Sequence, residues 1–191
     1  TTPRRASKSA GRAAAIVSQR LPSARFVLAG KGLDSSNAEL NGWLDANGVA
    51  NIFTLLGERP DLPDCLAAFD VFCLSSKSEG FPNVVCEAMG VGVPCAVTNV
   101  GDAALIVGDT GEVVPKEDVN ALADAMLRIA QLHPDKRRAL GERARARLEA
   151  EFSIDVACSR FESLYRELLA SARRRKMSRL GQAGLALMKA T

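Results

Sequence analysis

Aromatic side chains make up only 5% of the 191 residues, and the formal net charge is only +3. A nucleic-acid binder usually carries more of both, so that class is set aside. There is no C-x-x-C pair, and the cysteines (Cys65, Cys73, Cys86, Cys95 and Cys158) are odd in number, so neither a disulfide framework nor a zinc site is expected. Cys73 and Cys95 stand inside apolar runs and read as small core residues, which suits a reducing cytoplasm. No apolar run reaches the length of a membrane span. The basic start (Arg4, Arg5, Lys8, Arg12) is not followed by an apolar signal core. A dinucleotide fingerprint is also lacking, because Gly30-Lys31-Gly32 has Ser35 where a third glycine would stand. The one histidine, His133, precedes Pro134 between two helical stretches and reads as a surface turn residue.

With 47% hydrophobic residues, the chain has enough apolar side chains for one domain of ordinary size. Strand and helix signals alternate. Residues 24–29, 51–56, 71–74 and 94–98 are short apolar runs that read as buried strands. Ile106 and Val107, followed by residues 112–114, suggest a further short strand or hairpin. Residues 10–19, 35–47, 61–68, 82–90, 118–132, 134–150 and 153–174 read as helices, several opening on a cap or a first-turn proline. Strands that are continuous apolar runs, alternating with helices, predict an α/β fold: a doubly wound, Rossmann-like parallel sheet covered on both faces. Ligands of such sheets bind at the carboxyl ends of the strands. The expected organisation is one domain over residues 1–172 and a basic C-terminal tail over 173–191.

The stretch that carries chemistry runs from Ser75 to Gly90, directly after the strand at 71–74. Glu79 lies on the loop at the mouth of the crevice, and Glu87 lies on the helix one turn beyond Asn83. The amides of Asn83 and Val84 are free because the helix has just begun. Free amides and the helix dipole favour an anion such as a diphosphate. Two flanking carboxylates can accept hydroxyl hydrogen bonds, so the arrangement fits a nucleoside diphosphate sugar. From spacing alone, the bland reading leads: Glu87 as a solvated helix residue and Glu79 as a loop charge.

The continuation narrows this choice. Glu79-Gly80-Phe81-Pro82, Glu87 and Ala88-Met89-Gly90-Val91-Gly92-Val93-Pro94 resemble the donor-site motif of the family-4 retaining glycosyltransferases of GT-B fold. The likeness extends to Arg25–Gly32, Leu56-Gly57-Glu58-Arg59, Asp70–Ser76 and Asp109–Pro115, covering about residues 20–168. It implies the donor-binding, C-terminal half of such an enzyme, which would transfer a sugar from a UDP- or GDP-linked donor to a glycan or lipid-linked acceptor in surface polysaccharide biosynthesis. By the resemblance, Glu87 holds the ribose hydroxyls, and Glu79, as the catalytic candidate, faces the donor hexose with the backbone of Gly80, Phe81 and Pro82. Asn83 and Val84 take the diphosphate, Arg59 borders the base, and Gly30 and Gly32 admit the nucleotide. An ordinary tight turn explains those two glycines equally well. The family needs no metal and no cofactor, and none is expected here.

Two departures stand out. Val100-Gly101-Asp102-Ala103-Ala104-Leu105 replaces the family's G-G-x-x-E element, which leaves the donor's identity open. Complete relatives also carry an acceptor-binding N-terminal domain and a first strand ahead of the helix at 10–19. Residues 1–9, with Pro3 and several basic side chains, make a poor buried strand. The strands at 24–29 and 71–74 are therefore expected to border a gap, which they close by direct pairing, by another segment, or not at all. Further expectations are an inactive isolated fragment, self-association through open edges, a cytoplasmic location, and peripheral contact of residues 173–191 with the inner face of a membrane. The competing readings are a non-enzymatic nucleotide-sugar-binding module and a GT-B-shaped epimerase.

Overall fold

The computed structural model describes the backbone of residues 3–188 and the side chains of residues 9–172. Helix α1 (Pro3–Arg20) leads into β1 (Phe26–Ala29), followed by α2 (Ala38–Ala46), β2 (Phe53–Gly57), α3 (Leu62–Ala67), β3 (Phe72–Leu74) and α4 (Asn83–Gly90). Then come β4 (Cys95–Thr98), α5 (Ala103–Val107), β5 (Glu112–Val114), α6 (Val119–Ala130), α7 (Pro134–Phe152) and α8 (Ile154–Met188). The chain divides into two compact units, Thr1–Glu149 and Ala150–Thr191.

Local chemistry accounts for the helix starts. Asn37 caps α2 by accepting the Leu40 N–H at 3.0 Å, and Asp118 caps α6 by accepting the Ala121 N–H at 2.9 Å. Pro63 sits in the first turn of α3, where its missing N–H loses no hydrogen bond. The short strands pair in parallel: β1 with β2, and β3 with β4 and then β5. Phe26 and Phe53 share a register position and stack with ring centroids 5.2 Å apart. One core cluster joins α1, α6, β4 and β5 through Val17, Leu122, Leu127, Ile129, Ala96 and Val114. A smaller one joins Leu40 and Leu44 of α2 to Leu28, Phe53 and Leu55 of the first strand pair.

The strands form two sheets, ordered β1-β2 and β3-β4-β5. Between β1 and β3 lies a cleft of about 590 Å³, lined by Phe26, Val27 and Leu28 on one side and Phe72 and Cys73 on the other. Among the described residues no strand occupies it. A doubly wound sheet of order 3-2-1-4-5-6 has its first strand at this place, so the expected gap is present and direct pairing does not close it.

Four expectations change, the first being that α1 begins at Pro3, seven residues ahead of the expected start at residue 10. Ile106 and Val107 belong to helix α5, not to a strand: an apolar run this short fits either state, and the chain must turn back between the parallel strands β4 and β5. Asn51 and Ile52 form a 3-10 turn ahead of β2. The backbone is helical to Met188, where a tail from residue 173 was expected; the side chains of 173–191 lie outside the described residues, as do residues 1–2. No helix among the described residues is long and apolar enough to cross a membrane.

Candidate functional site

Helix α4 opens directly beyond the carboxyl end of β3, across the loop 75–82. Its apolar positions Val85, Ala88 and Met89 are buried, which fixes the helix on the core and leaves Asn83 and Glu87, four residues apart, exposed on one face. Pro82 stands at the N-cap and offers no capping side chain. The Val85 N–H turns back to the Pro82 carbonyl at 2.9 Å, while the N–H groups of Asn83 and Val84 meet no acceptor among the described residues. The start of α4 is therefore an uncapped, electropositive helix end with a carboxylate on either side. Next to Glu87, the Cys86 thiol is pushed up, first by burial and then by the Glu87 charge.

The loop that carries Glu79 is held from the neighbouring strand. Thr98, the last residue of β4, is buried, and its hydroxyl donates to the Ser76 carbonyl at 2.7 Å with the Leu74 carbonyl at 3.3 Å. The Ser76 hydroxyl in turn donates to Glu79 Oε1 at 2.6 Å. One step further, the Asp102 N–H donates to the Gly80 carbonyl at 2.9 Å. Gly101 adopts φ +50, and a Cβ there would lie 2.1 Å from the Gly80 oxygen and 2.5 Å from that of Glu79. Lys77 is ion-paired to Glu117, a non-glycine residue at φ 67 just ahead of α6.

The remaining predicted residues form a second group on the other sheet. Gly30 donates its N–H to the Gly57 carbonyl at 2.7 Å, and Gly57 donates to Leu33 at 2.9 Å, so the loops after β1 and β2 are bonded together. Gly32, at φ +72, has nothing within 4 Å of the position a Cβ would take; its backbone conformation alone calls for glycine. Arg59 is turned onto Asp61, with Nε 2.7 Å from Oδ1, and this bond holds the Asp61 carboxyl below its usual range. Both groups lie at carboxyl ends of strands. His133 is exposed beside Asp135, at 3.3 Å.

Thr98, the Lys77–Glu117 pair and the role of Ser76 escaped the sequence reading, because their partners lie far off in the chain. Gly101 stood in a quoted motif without a reason for its being glycine. Gly111, within the Asp109–Pro115 element, is explained by packing: a Cβ there would lie 2.4 Å from the Cys95 carbonyl.

The family described as glycosyl transferases group 1 matches residues 4–131. The chain is 34% identical over 119 residues to the N-acetyl-alpha-D-glucosaminyl L-malate synthase of Bacillus anthracis, covering 60% of this chain and 30% of that protein. It is 29% identical over 157 residues to the UDP-Gal:alpha-D-GlcNAc-diphosphoundecaprenol alpha-1,3-galactosyltransferase of Escherichia coli, covering 81% of this chain and 40% of that protein. Among solved structures, Anabaena HepE in complex with UDP-glucose superposes with a TM-score of 0.69 at 23% identity, over 82% of this chain and 44% of that one. The chain thus spans well under half the length of these proteins, and its fold is that of the Rossmann-like half of a GT-B glycosyltransferase.

Proposed function

The chain belongs to the group 1 glycosyl transferases, and on that premise we propose that it forms the donor-binding part of an enzyme that moves a hexose from a nucleoside diphosphate sugar to a glycan or lipid-linked acceptor, with retention at the anomeric carbon. The observation that carries this reading is the uncapped start of α4 between Glu79 and Glu87. A diphosphate accepts from the Asn83 and Val84 amides. On one side Glu87 accepts from the ribose hydroxyls. On the other, Glu79 and the backbone of Gly80 to Pro82 meet the hexose. In the transfer, the bond from the anomeric carbon to the diphosphate oxygen breaks as an acceptor hydroxyl bonds that carbon and gives its proton to the departing diphosphate oxygen. The nucleoside diphosphate leaves with the electron pair. Negative charge grows on the leaving diphosphate, and the helix end stabilises it there without needing to reorganise. No metal or other cofactor has a part in this scheme.

Gly30 and Gly32 border the nucleotide in this reading, and Arg59 stands towards the base. The names of the E. coli relative and of the Anabaena complex carry uridine diphosphate sugars. A GDP-mannose-dependent relative of Corynebacterium glutamicum is equally identical at 29% but covers 75% of this chain against 81% for the E. coli relative, which tips the reading to UDP. The diphosphoundecaprenol in the first name favours a lipid-linked acceptor; in this reading transfer takes place at the cytoplasmic face of a membrane, in surface polysaccharide or glycolipid assembly. Titration calorimetry of the chain with UDP, UDP-glucose, GDP and GDP-mannose tests the reading, with the uridine pair expected to bind. Charge-assisted hydrogen bonds of the Glu87 kind contribute about 1.5–3 kcal/mol, so Glu87→Ala should weaken binding about ten- to a hundred-fold. Equal affinity of the two forms returns Glu87 to a solvated helix residue.

A further inference from the structure

We propose that Ser76 is a positioning residue that orients the Glu79 carboxylate towards the sugar of the donor, and that Thr98 acts through Ser76 in the same task. Ser76 is only 5% exposed although it lies on a loop. Its single O–H goes to Glu79 Oε1 at 2.6 Å. Its own carbonyl is fixed by the Thr98 hydroxyl at 2.7 Å. Thr98 ends β4, a strand buried at every position, so the chain of bonds runs from a fully buried strand to one oxygen of a half-buried carboxylate. The other oxygen, Oε2, meets no partner among the described residues. The bond to Ser76 removes the rotational freedom that Glu79 would otherwise lose when it closes on a ligand.

A separate contact holds the loop backbone. The Asp102 N–H bonds the Gly80 carbonyl at 2.9 Å, and the Gly101 turn presses on the Glu79–Gly80 peptide. Loss of the Ser76 hydroxyl therefore frees the carboxylate and leaves the loop in place. This separates an effect on the sugar from an effect on the nucleotide. The inference rests on the reading above, in which Glu79 faces the hexose and the α4 amides take the diphosphate.

The test is calorimetry of the chain with UDP and with UDP-glucose. Ser76→Ala should weaken UDP-glucose about ten-fold and UDP less than about two-fold. Ser76→Thr, which keeps the hydroxyl, should restore the ratio of the two affinities. Thr98→Val, of the same shape without the donor, should shift the ratio in the direction of Ser76→Ala, and it carries the test should that variant fail to fold. A purely structural role would weaken both ligands together and leave their ratio alone; that result, or an unchanged ratio with both affinities intact, overturns the proposal. A wild-type chain that binds neither ligand refutes the donor-site reading itself, and the inference falls with it.

Discussion

Replacing Gly101 with alanine would put a methyl carbon 2.1 Å from the Gly80 oxygen, 2.5 Å from the Glu79 oxygen and 2.9 Å from the Glu79 carbonyl carbon. All three are backbone atoms, so no side chain can swing aside to make room. The residue also sits at φ +50, where an L side chain costs about 1–2 kcal/mol. Relieving the overlap moves the Glu79–Gly80 peptide and breaks the 2.9 Å bond from the Asp102 N–H, a further loss of about 1 kcal/mol. Overpacking of this kind typically adds about 1–3 kcal/mol, so Gly101→Ala should destabilise the chain by about 3–6 kcal/mol in all. Gly32→Ala is the control. It shares the left-handed backbone, at φ +72, but a Cβ there meets nothing within 4 Å, so only the conformational cost of about 1–2 kcal/mol applies. Urea unfolding measures both losses, and calorimetry with UDP measures the site. Gly101→Ala should lose donor affinity along with stability. Equal stability losses for the two variants, with UDP affinity unchanged in Gly101→Ala, would refute the claim that this turn braces the donor loop.

Three other outcomes are expected. Gly141→Ala in α7 would drive a methyl to within 1.8 Å of the Gly92 carbonyl; a drop in unfolding free energy of about 1–3 kcal/mol is expected, and a denaturation midpoint equal to that of the wild type would show that the helix shifts freely. Iodoacetamide at neutral pH should label the exposed Cys158 first and spare Cys95 and Cys73, because burial pushes the Cys73 thiol up to about 12 and the Cys95 thiol higher still, leaving little thiolate to react; peptide mass mapping that finds Cys95 modified as fast as Cys158 would contradict the packing. UDP affinity should be the same with and without a chelator, since the anion site proposed here is made of amides and a helix dipole, and restoration of a lost affinity by magnesium would overturn that account.

Elements set by local pattern were legible in the chain. The runs at 24–29 and 94–98 became β1 and β4 with their ends trimmed by one or two residues. The proline-led start of α4, with Glu87 one turn beyond Asn83, was readable in the stretch that follows β3. Ile106 and Val107 were misread because a short apolar run fits a buried strand and a buried helix turn equally. At the site, the loop and its glutamates were readable as one contiguous stretch. What orients them was not, because it comes from residues distant in the chain: Thr98 bonds back 22 positions to Ser76, and Gly101 presses on Gly80 from the next strand's loop. A single sequence carries no signal for such pairs until the strands are laid side by side.

The slot between β1 and β3 bears on how the first unit opens. In an unbroken sheet each ladder restrains the next, and the strands come apart together. Here the ladder is interrupted, and helix packing spans the break: α1 touches α2, α6 and β3. Side chains packed between helices slide past one another more readily than a row of backbone bonds separates. Among the described residues the strand pair β1–β2 and the trio β3–β5 are thus joined by side-chain packing in place of a backbone ladder, with α1 as the strap between them. Gly30, Gly32 and Arg59 stand beside the pair, and Glu79 and Glu87 beside the trio. A ligand that grips both groups would bridge two sheets that no ladder joins among the described residues, and would stabilise the folded chain by mass action.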